Sequence, residues 1–382
     1  VDAGRRFGDN NQFGARVNLL HREGEGRIND DRRRTTLASL GLDYRGESLR
    51  TSLDLGYQKK TIHGGSTGID IQSVTDIPKL PSNSRSYTQK WNSYDIENEF
   101  GMARAEYDLT SNWTAYAALG GQHANEVSTS SAPELTDNTG NADVSRMDTK
   151  YIIDTFSGMA GIRGQFDTGF VSHKVNVGYA ASTKKVKMGW AMATGKLPTT
   201  NIYNPQSVEK PDNTFGSGTY NDPFTTERAR SQGILLSDTL GVLDDTLLFT
   251  VGARYQEVVA RGYEHSSGEL NSSHNSNRWM PAYGVVYKPW EEVSFYANHT
   301  EALQPQSTSI TGFPQAGSRM SIAHSTQNEA GVKFDFGTVG GSMALFEIKK
   351  PYGFNDLTLG GEQRNRGVEL NVFGEPLEGL RL

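Results

Sequence analysis

At 382 residues, with a net charge of −6, 35% hydrophobic residues and 42 glycines, the chain is long enough for two soluble domains but poor in the aliphatics that such cores need. The charge argues against a nucleic-acid binder, and zero cysteines exclude a disulfide framework and thiolate chemistry. No run approaches the roughly 18 apolar residues of a membrane helix, a test blind to barrels because lumen-facing residues dilute every window.

The elements follow a strand period from the start. Val1 opens directly into polar sequence, as a mature or excised piece would. Phe13, Ala15, Val17 and Leu19 alternate with Gly14, Arg16 and Asn18, which predicts a first strand. Leu40, Leu42 and Tyr44 form a second, and Arg45-Gly46-Glu47-Ser48 turns the chain tightly into Leu49, Leu53, Leu55 and Tyr57. A long loop is expected over 64–93. Then Ala103, Ala105 and Tyr107 descend, Ser111-Asn112 turns, and Trp113, Ala115, Ala117 and Leu119 ascend.

A loop over 126–150 precedes a strand around Phe156 to Phe166, a turn at Asp167-Thr168-Gly169, and a strand carrying Val175, Val177, Tyr179 and Ala181. The longest loop is expected over 190–225. The strand over 228–241 alternates poorly, because Ile234-Leu235-Leu236 are consecutive, and Leu243-Asp244-Asp245 turns it round. Phe249, Val251, Ala253 and Tyr255 follow, then a loop over 263–277. The clearest hairpin sets Trp279, Pro281, Tyr283, Val285 and Tyr287 against Val293, Phe295 and Ala297, joined by Lys288-Pro289-Trp290-Glu291. After a loop over 303–325 come Ala330, Val332, Phe334 and Phe336, then Ala344, Phe346 and Ile348, then Val368, Leu370 and Val372. The count is fourteen strands in one undivided unit.

Short and long connections alternate throughout. That parity predicts an all-β, antiparallel up-and-down transmembrane barrel with turns on one rim and loops on the other. Aromatics such as Tyr44, Tyr107, Trp113, Phe166, Phe170, Tyr287, Trp290, Phe334, Phe336 and Phe373 gather by the short turns, as an interfacial girdle would. Basic residues crowd the long-loop ends, among them Arg228, Arg230, Arg261, Lys349, Lys350, Arg364 and Arg366; acids crowd the opposite rim. The basic rim is expected to meet phosphates of an anionic outer leaflet, lipopolysaccharide included, with a merely solvated strand end as the plainer alternative.

Catalytic signals are thin. Glu291-Glu292 and Asp244-Asp245 sit at turns, where solvated acids are the default, and nothing holds two carboxylates at catalytic separation. Gly64-Gly65-Ser66-Thr67-Gly68 lacks the lysine of a phosphate loop, and there is no nucleophile elbow. His265 and His274 are the nearest histidine pair, with no metal-spaced acid beside them. No enzyme, no catalytic residue, no metal site and no resident cofactor is expected.

Particular residues carry a family resemblance. The run from Gly361 to Pro376 (Gly361-Glu362-Gln363-Arg364-Asn365-Arg366-Gly367-Val368 and onward), Lys288-Pro289-Trp290-Glu291, Ser294-Phe295-Tyr296-Ala297-Asn298 and Asn328-Glu329-Ala330-Gly331-Val332-Lys333 resemble the late barrel strands of TonB-dependent siderophore receptors. Arg6-Phe7-Gly8 with Phe13-Gly14-Ala15-Arg16-Val17-Asn18 resembles the first barrel strand after the plug. Thr200-Asn201-Ile202-Tyr203-Asn204-Pro205 is similar to a loop segment of hydroxamate or ferrichrome-type members.

The resemblance implies a barrel of about 22 strands in the bacterial outer membrane, of which residues 1–382 would supply about 14–15. It also implies an N-terminal plug outside this sequence, and uptake of ferric siderophores energised through TonB, with iron present only as the chelated ligand. A passive porin-like channel is the alternative. The lumen charges Arg16, Asp54, Arg104, Glu106, Arg163, Arg254, Glu329, Lys333, Glu347 and Glu369 are then expected to hold a plug or to be wetted by channel water. The loop aromatics Trp91, Tyr94, Trp190, Tyr203, Phe215, Tyr220 and Phe313, with Tyr352 and Phe354, suit a bulky organic chelate. Packing the loops on one another would use the same residues.

Overall fold

Alternating side chains demand extended backbone, and extended backbone must find ladder partners for its N–H and C=O groups. The computed structural model describes residues 1–382 apart from 27, 66, 83–85, 309–318, 354–358 and 382, and among the described residues every regular element is a strand. In chain order these are β1 (Asp2–Phe7), β2 (Phe13–Glu25), β3 (Arg32–Arg45), β4 (Leu49–His63), β5 (Ser93–Asp108), β6 (Trp113–Leu135), β7 (Asn141–Thr168), β8 (Val171–Met192), β9 (Thr199–Asn201), β10 (Phe215–Gly216), β11 (Thr225–Val242), β12 (Leu247–Tyr263), β13 (Leu270–Trp290), β14 (Val293–Thr308), β15 (Arg319–Asp335), β16 (Val339–Gly353) and β17 (Leu359–Gly374). Apart from the short β1, β9 and β10, these are the fourteen expected strands. Each long strand pairs antiparallel with the next, β8 reaching past the two short strands to β11. The unforeseen β1 lies along β2, Phe7 opposite Phe13.

Opposed residues of aligned strands point to the same face, so the registers define rows around the wall. One row reads Phe249, Val285, Ala297, Ala330, Leu345, Val368. Its large members are uncovered, Leu345 at 56% and Val368 at 62% exposure, so the greasy rows do not meet in a dry interior, and the opposite, charged face takes the lumen. Lipid is the solvent that such a surface requires. Ring pairs Phe7–Phe13, Phe13–Tyr44, Trp113–Phe166 and Phe334–Phe336, at 5.1–6.4 Å between centroids, run along the short-turn rim as the girdle expected there.

Three sequence expectations are corrected. In β16 the outward residues are Met343 and Leu345, not Ala344, Phe346 and Ile348, because Leu345 is locked between Ala330 and Val368. Glu347 therefore lies on the outer wall and is no lumen charge. The loops over 126–150, 263–277 and 303–325 are largely strand. β7 alone has 28 residues, ~90 Å at about 3.3 Å each, against an apolar band of about 25 Å. Above the band the ladder continues with no lipid to impose apolar alternation, which is why the pattern fades while the strand does not. The poorly alternating β11 is resolved by its partners: Ile234 and Leu236 oppose the outward Tyr179 and Val177, leaving Leu235 inward. Its turn runs through three consecutive residues of positive φ, Leu243, Asp244 and Asp245 (54°, 54° and 60°). A side-chain hydrogen bond from Ser172 to Asp245 (2.5 Å) helps hold that turn.

Candidate binding vestibule

The long-loop side is a built structure. The 64–92 segment, the β6–β7 tip and the 193–224 segment meet in a small core of Leu135, Ala142 and Ile202, against which Ile69, Val74 and Tyr203 pack. β9 pairs with the start of β7 and β10 with the end of β8, so the longest connection is tied down at two points. Gln89 bridges two segments: its Nε2 donates to the Gln206 carbonyl (3.2 Å) and its Oε1 accepts from Val208 N–H (2.9 Å). A nearly buried ion pair, Arg146 to Asp148 (2.6 Å), is extended by Asn213 Nδ2 donating to Asp148 and Arg146 Nη1 donating to the Pro211 carbonyl, both at 2.7 Å. Such an enclosed, fully bonded pair fixes geometry more than it adds stability.

The aromatics singled out from sequence fall into different roles. Trp91 donates its indole N–H to the Val208 carbonyl (3.3 Å) and Tyr203 its hydroxyl to the Lys79 carbonyl (2.8 Å), so both tie loops together. Trp190 is 2% exposed, its ring edge-on to Phe215 at 5.3 Å, and stands behind the vestibule surface. Tyr220 crosses so close to Gly189 that a Cβ there would sit 2.8 Å from the Tyr220 Cα. Burial, with the Asp148 charge second, raises the Tyr220 phenol above its ordinary pKa. Tyr94 is half-buried and shares the inward parity of Arg104 and Glu106 on β5. Phe313 and Phe354 lie outside the described residues, as does the Tyr352 side chain.

One element of the mouth escaped the sequence reading. The β13–β14 ladder ends at Tyr283 and His299, whereas β14 and β15 stay paired far above that point. The freed top of the hairpin lies over the inner face of β12 and β13, where Val258, Met280 and Leu303 form a cluster with Ile322. Val258 is wholly buried, and Gln256 Nε2 donates to the Leu303 carbonyl (3.3 Å) and to Ser231 Oγ (2.8 Å). The signal was available in Val258, Ala260 and Met280, apolar side chains at inward positions. At the bend His324 Nε2 meets Glu301 at 2.7 Å and His299 Nε2 meets it at 3.5 Å. Among the described residues no group of three or more histidines and acids converges as a metal site.

Below the mouth the inner wall is charged and mutually bonded. Glu106 accepts from Arg163 (2.9 Å) and from Arg104, while Arg50 grips Asp108 through both terminal nitrogens (2.6 and 2.7 Å). Across the lumen Tyr296 donates to Glu329 (2.6 Å) under the Lys333 ammonium, 5.1 Å above its ring. Phe100, Met102 and Met159 leave an apolar inward patch beside them, each more than 40% exposed. A wall with polar anchors, an apolar patch and loops folded over its mouth can bind and pass a bulky solute.

A lipid-facing antiparallel wall with a loop-built vestibule defines the class of outer-membrane receptor barrels. The chain belongs to the family described as TonB dependent receptor-like, beta-barrel, whose model matches residues 22–381. It is 47% identical over 392 aligned residues to the ferrichrome receptor FcuA of Yersinia enterocolitica, covering 100% of this chain and 51% of that protein. It is 26% identical to the probable TonB-dependent siderophore receptor PiuA of Acinetobacter baumannii, covering 75% of this chain and 43% of that protein. The crystal structure of BauA, the ferric preacinetobactin receptor of Acinetobacter baumannii, superposes with a TM-score of 0.82 at 28% identity, over 100% of this chain and 57% of that one. The pyoverdine receptor FpvA of Pseudomonas aeruginosa shares the fold at 17% identity, with a TM-score of 0.80 over 100% of this chain and 57% of that one. The chain spans about half the length of these relatives. It is a bacterial outer-membrane barrel chain.

Proposed function

We propose that residues 1–382 form the barrel wall and vestibule of a receptor that takes up ferric siderophores of the hydroxamate class. The plug and the remaining strands come from outside this sequence, and transport is energised through TonB contacting that plug. The observation that carries the reading is the 47% identity along the whole chain to a protein named as a ferrichrome receptor. The loop core supports it, because a vestibule held by bonded segments presents a preformed cup to a bulky ligand. In this reading Tyr94 and Tyr220 face the ligand, with Phe215 at the edge, and Trp91, Trp190 and Tyr203 keep the cup in shape. Phe313 belongs to the same proposed set. Iron enters already chelated, so the barrel needs no metal ligands or cofactor of its own. The lipopolysaccharide leaflet around the wall is the further proposed partner.

The test is uptake of radioiron-labelled ferrichrome by cells whose one hydroxamate receptor is the full-length protein. Saturable uptake that stops when TonB is deleted or the inner membrane is de-energised is expected. Uptake that persists in both conditions would mark a passive channel and overturn the reading.

A further inference from the structure

Two ladders of the wall stop short of their strand ends, and a proline stands at each stop. β13 and β14 pair up to Tyr283 and His299, and the next residue of that parity on β13 is Pro281. β15 and β16 pair up to Thr326 and Lys349, and the next residue of that parity on β16 is Pro351. On its other side each strand stays paired straight through its proline, Pro281 with Ala253 and Pro351 with Glu362. Proline has no N–H to give a ladder, so an intact ladder on one side places the missing donor on the other, against the β14–β15 hairpin. Pro305 of β14 repeats the arrangement, pairing with Ile322 inside the hairpin and turning its edge toward β13. Pro133 obeys the same rule on β6, above Ser93 and Thr129, the last pair with β5.

The side-chain pattern alone would let both ladders continue. In the same register Pro281 would face Glu301, Trp279 would face Leu303 as an apolar outward pair, and Pro351 would face His324. Instead Glu301 and His324 bond each other at 2.7 Å, and Arg278 Nη1 on β13 donates to His324 Nδ1 at 3.2 Å, which ties the displaced hairpin to the wall. Leu303 and Ile322 turn onto Val258 and Met280. Ala302 and the exposed Gln304, of opposite parity to Leu303, therefore face the vestibule. A methyl and an amide offer contact and hydrogen bonds without charge, which fits a chelate whose hydroxamates already neutralise its iron(III).

We propose that Pro281 and Pro351 are positioning residues for ligand binding: by ending the two ladders they release the β14–β15 hairpin from the wall, and the hairpin, seated over the lumen, forms one fixed side of the siderophore cup. The binding half of this inference rests on the transport reading above, whereas the ladder half stands on the registers alone.

The test returns both donors to the full-length receptor with Pro281→Val and Pro351→Val. The hairpin is expected to rejoin the wall, so that amide exchange at Trp279, Glu301 and His324 slows roughly tenfold while β2 to β8 keep their protection. Ferrichrome affinity, measured by titration, should fall roughly tenfold. Pro351→Val alone, which needs only one substitution to fold, should slow His324 and leave Trp279 fast. Adding Val258→Cys and Leu303→Cys to the double variant, in a segment without native cysteine, re-tethers the hairpin on oxidation; affinity should return in the oxidised form and not in the reduced one. Unchanged exchange at all three amides, slowed exchange with unchanged ferrichrome affinity, or no recovery on oxidation would overturn the proposal. Absence of ferrichrome binding by the unaltered receptor would instead count against the transport reading, and exchange at the three amides would still decide the ladder stops.

Discussion

The Tyr283 ring stacks on the His299 imidazole at 4.8 Å between centroids and 15° between planes, and the two residues are the last opposed pair of the β13–β14 ladder. Below them the wall is continuous. Above them β14 leaves β13 and carries β15 with it over the lumen. The stack, worth about 0.5–1.5 kcal/mol beyond its buried area, marks the level at which wall becomes mouth.

Leu303 anchors the in-folded hairpin against Val258 and Met280. Truncation to alanine removes that contact and leaves a void, at a cost of about 2–4 kcal/mol. Hydrogen exchange should therefore accelerate in the upper halves of β14 and β15 of Leu303→Ala, while β2 to β8 keep their protection. Unchanged exchange in the hairpin would show that the cluster does not hold it in place.

Tyr94 and Trp190 should separate by phenotype. Trp190 is buried behind the 193–224 segment, so Trp190→Ala should cost about 3–5 kcal/mol locally and open that segment to trypsin at Lys196 and Lys210. Tyr94 points inward from an intact ladder. Tyr94→Ala should leave trypsin resistance unchanged and weaken siderophore affinity roughly tenfold, as loss of an aromatic anchor does. Isothermal titration and limited proteolysis of both variants check the pair.

Within the β6–β7 turn one carboxylate gathers several donors. Asp137 accepts from the Thr139 hydroxyl and amide (2.7 and 2.8 Å) and from the Asn141 side chain (2.7 Å), which together bring its pKa down to about 2. A folded-state pKa below the ordinary carboxylate value gives stabilisation that is present above that value and is lost as pH falls through the folded pKa. The tip should stay ordered on acidification from pH 7 to about pH 4 and loosen between about pH 4 and pH 2. In Asp137→Ala it should be loose throughout. Amide exchange at Thr139 and Asn141 reads both.

The sequence revealed the wall more fully than the mouth. Phe249, Val251, Tyr283 and Val285 alternate because lipid touches every second side chain, so strand number and turn parity were legible. Where strands rise above the lipid, as in upper β7, polar side chains occupy both faces and the period is lost although the ladder continues. The facing of β16 is not legible in its sequence because Phe346 is inward yet large, its ring filling the space that Gly367 leaves empty. Trp91, Trp190 and Tyr203 were visible as loop aromatics. Whether each faces a ligand or the loop interior depends on contacts such as Trp91 with Val208, more than a hundred residues apart in the chain.

Transport through this barrel requires that one defined face of each strand meet hydrocarbon, and β13 offers the most direct measurement of it. The chain contains no cysteine, so single cysteines at Tyr283, Gly284, Val285, Val286 and Tyr287 can carry nitroxide labels in the membrane-embedded receptor. Collision with oxygen, which concentrates in lipid, should be high at 283, 285 and 287 and low at 284 and 286, with a water-soluble nickel chelate showing the opposite order. A flat profile, or one with the phase reversed, would contradict the outward assignment of the greasy rows.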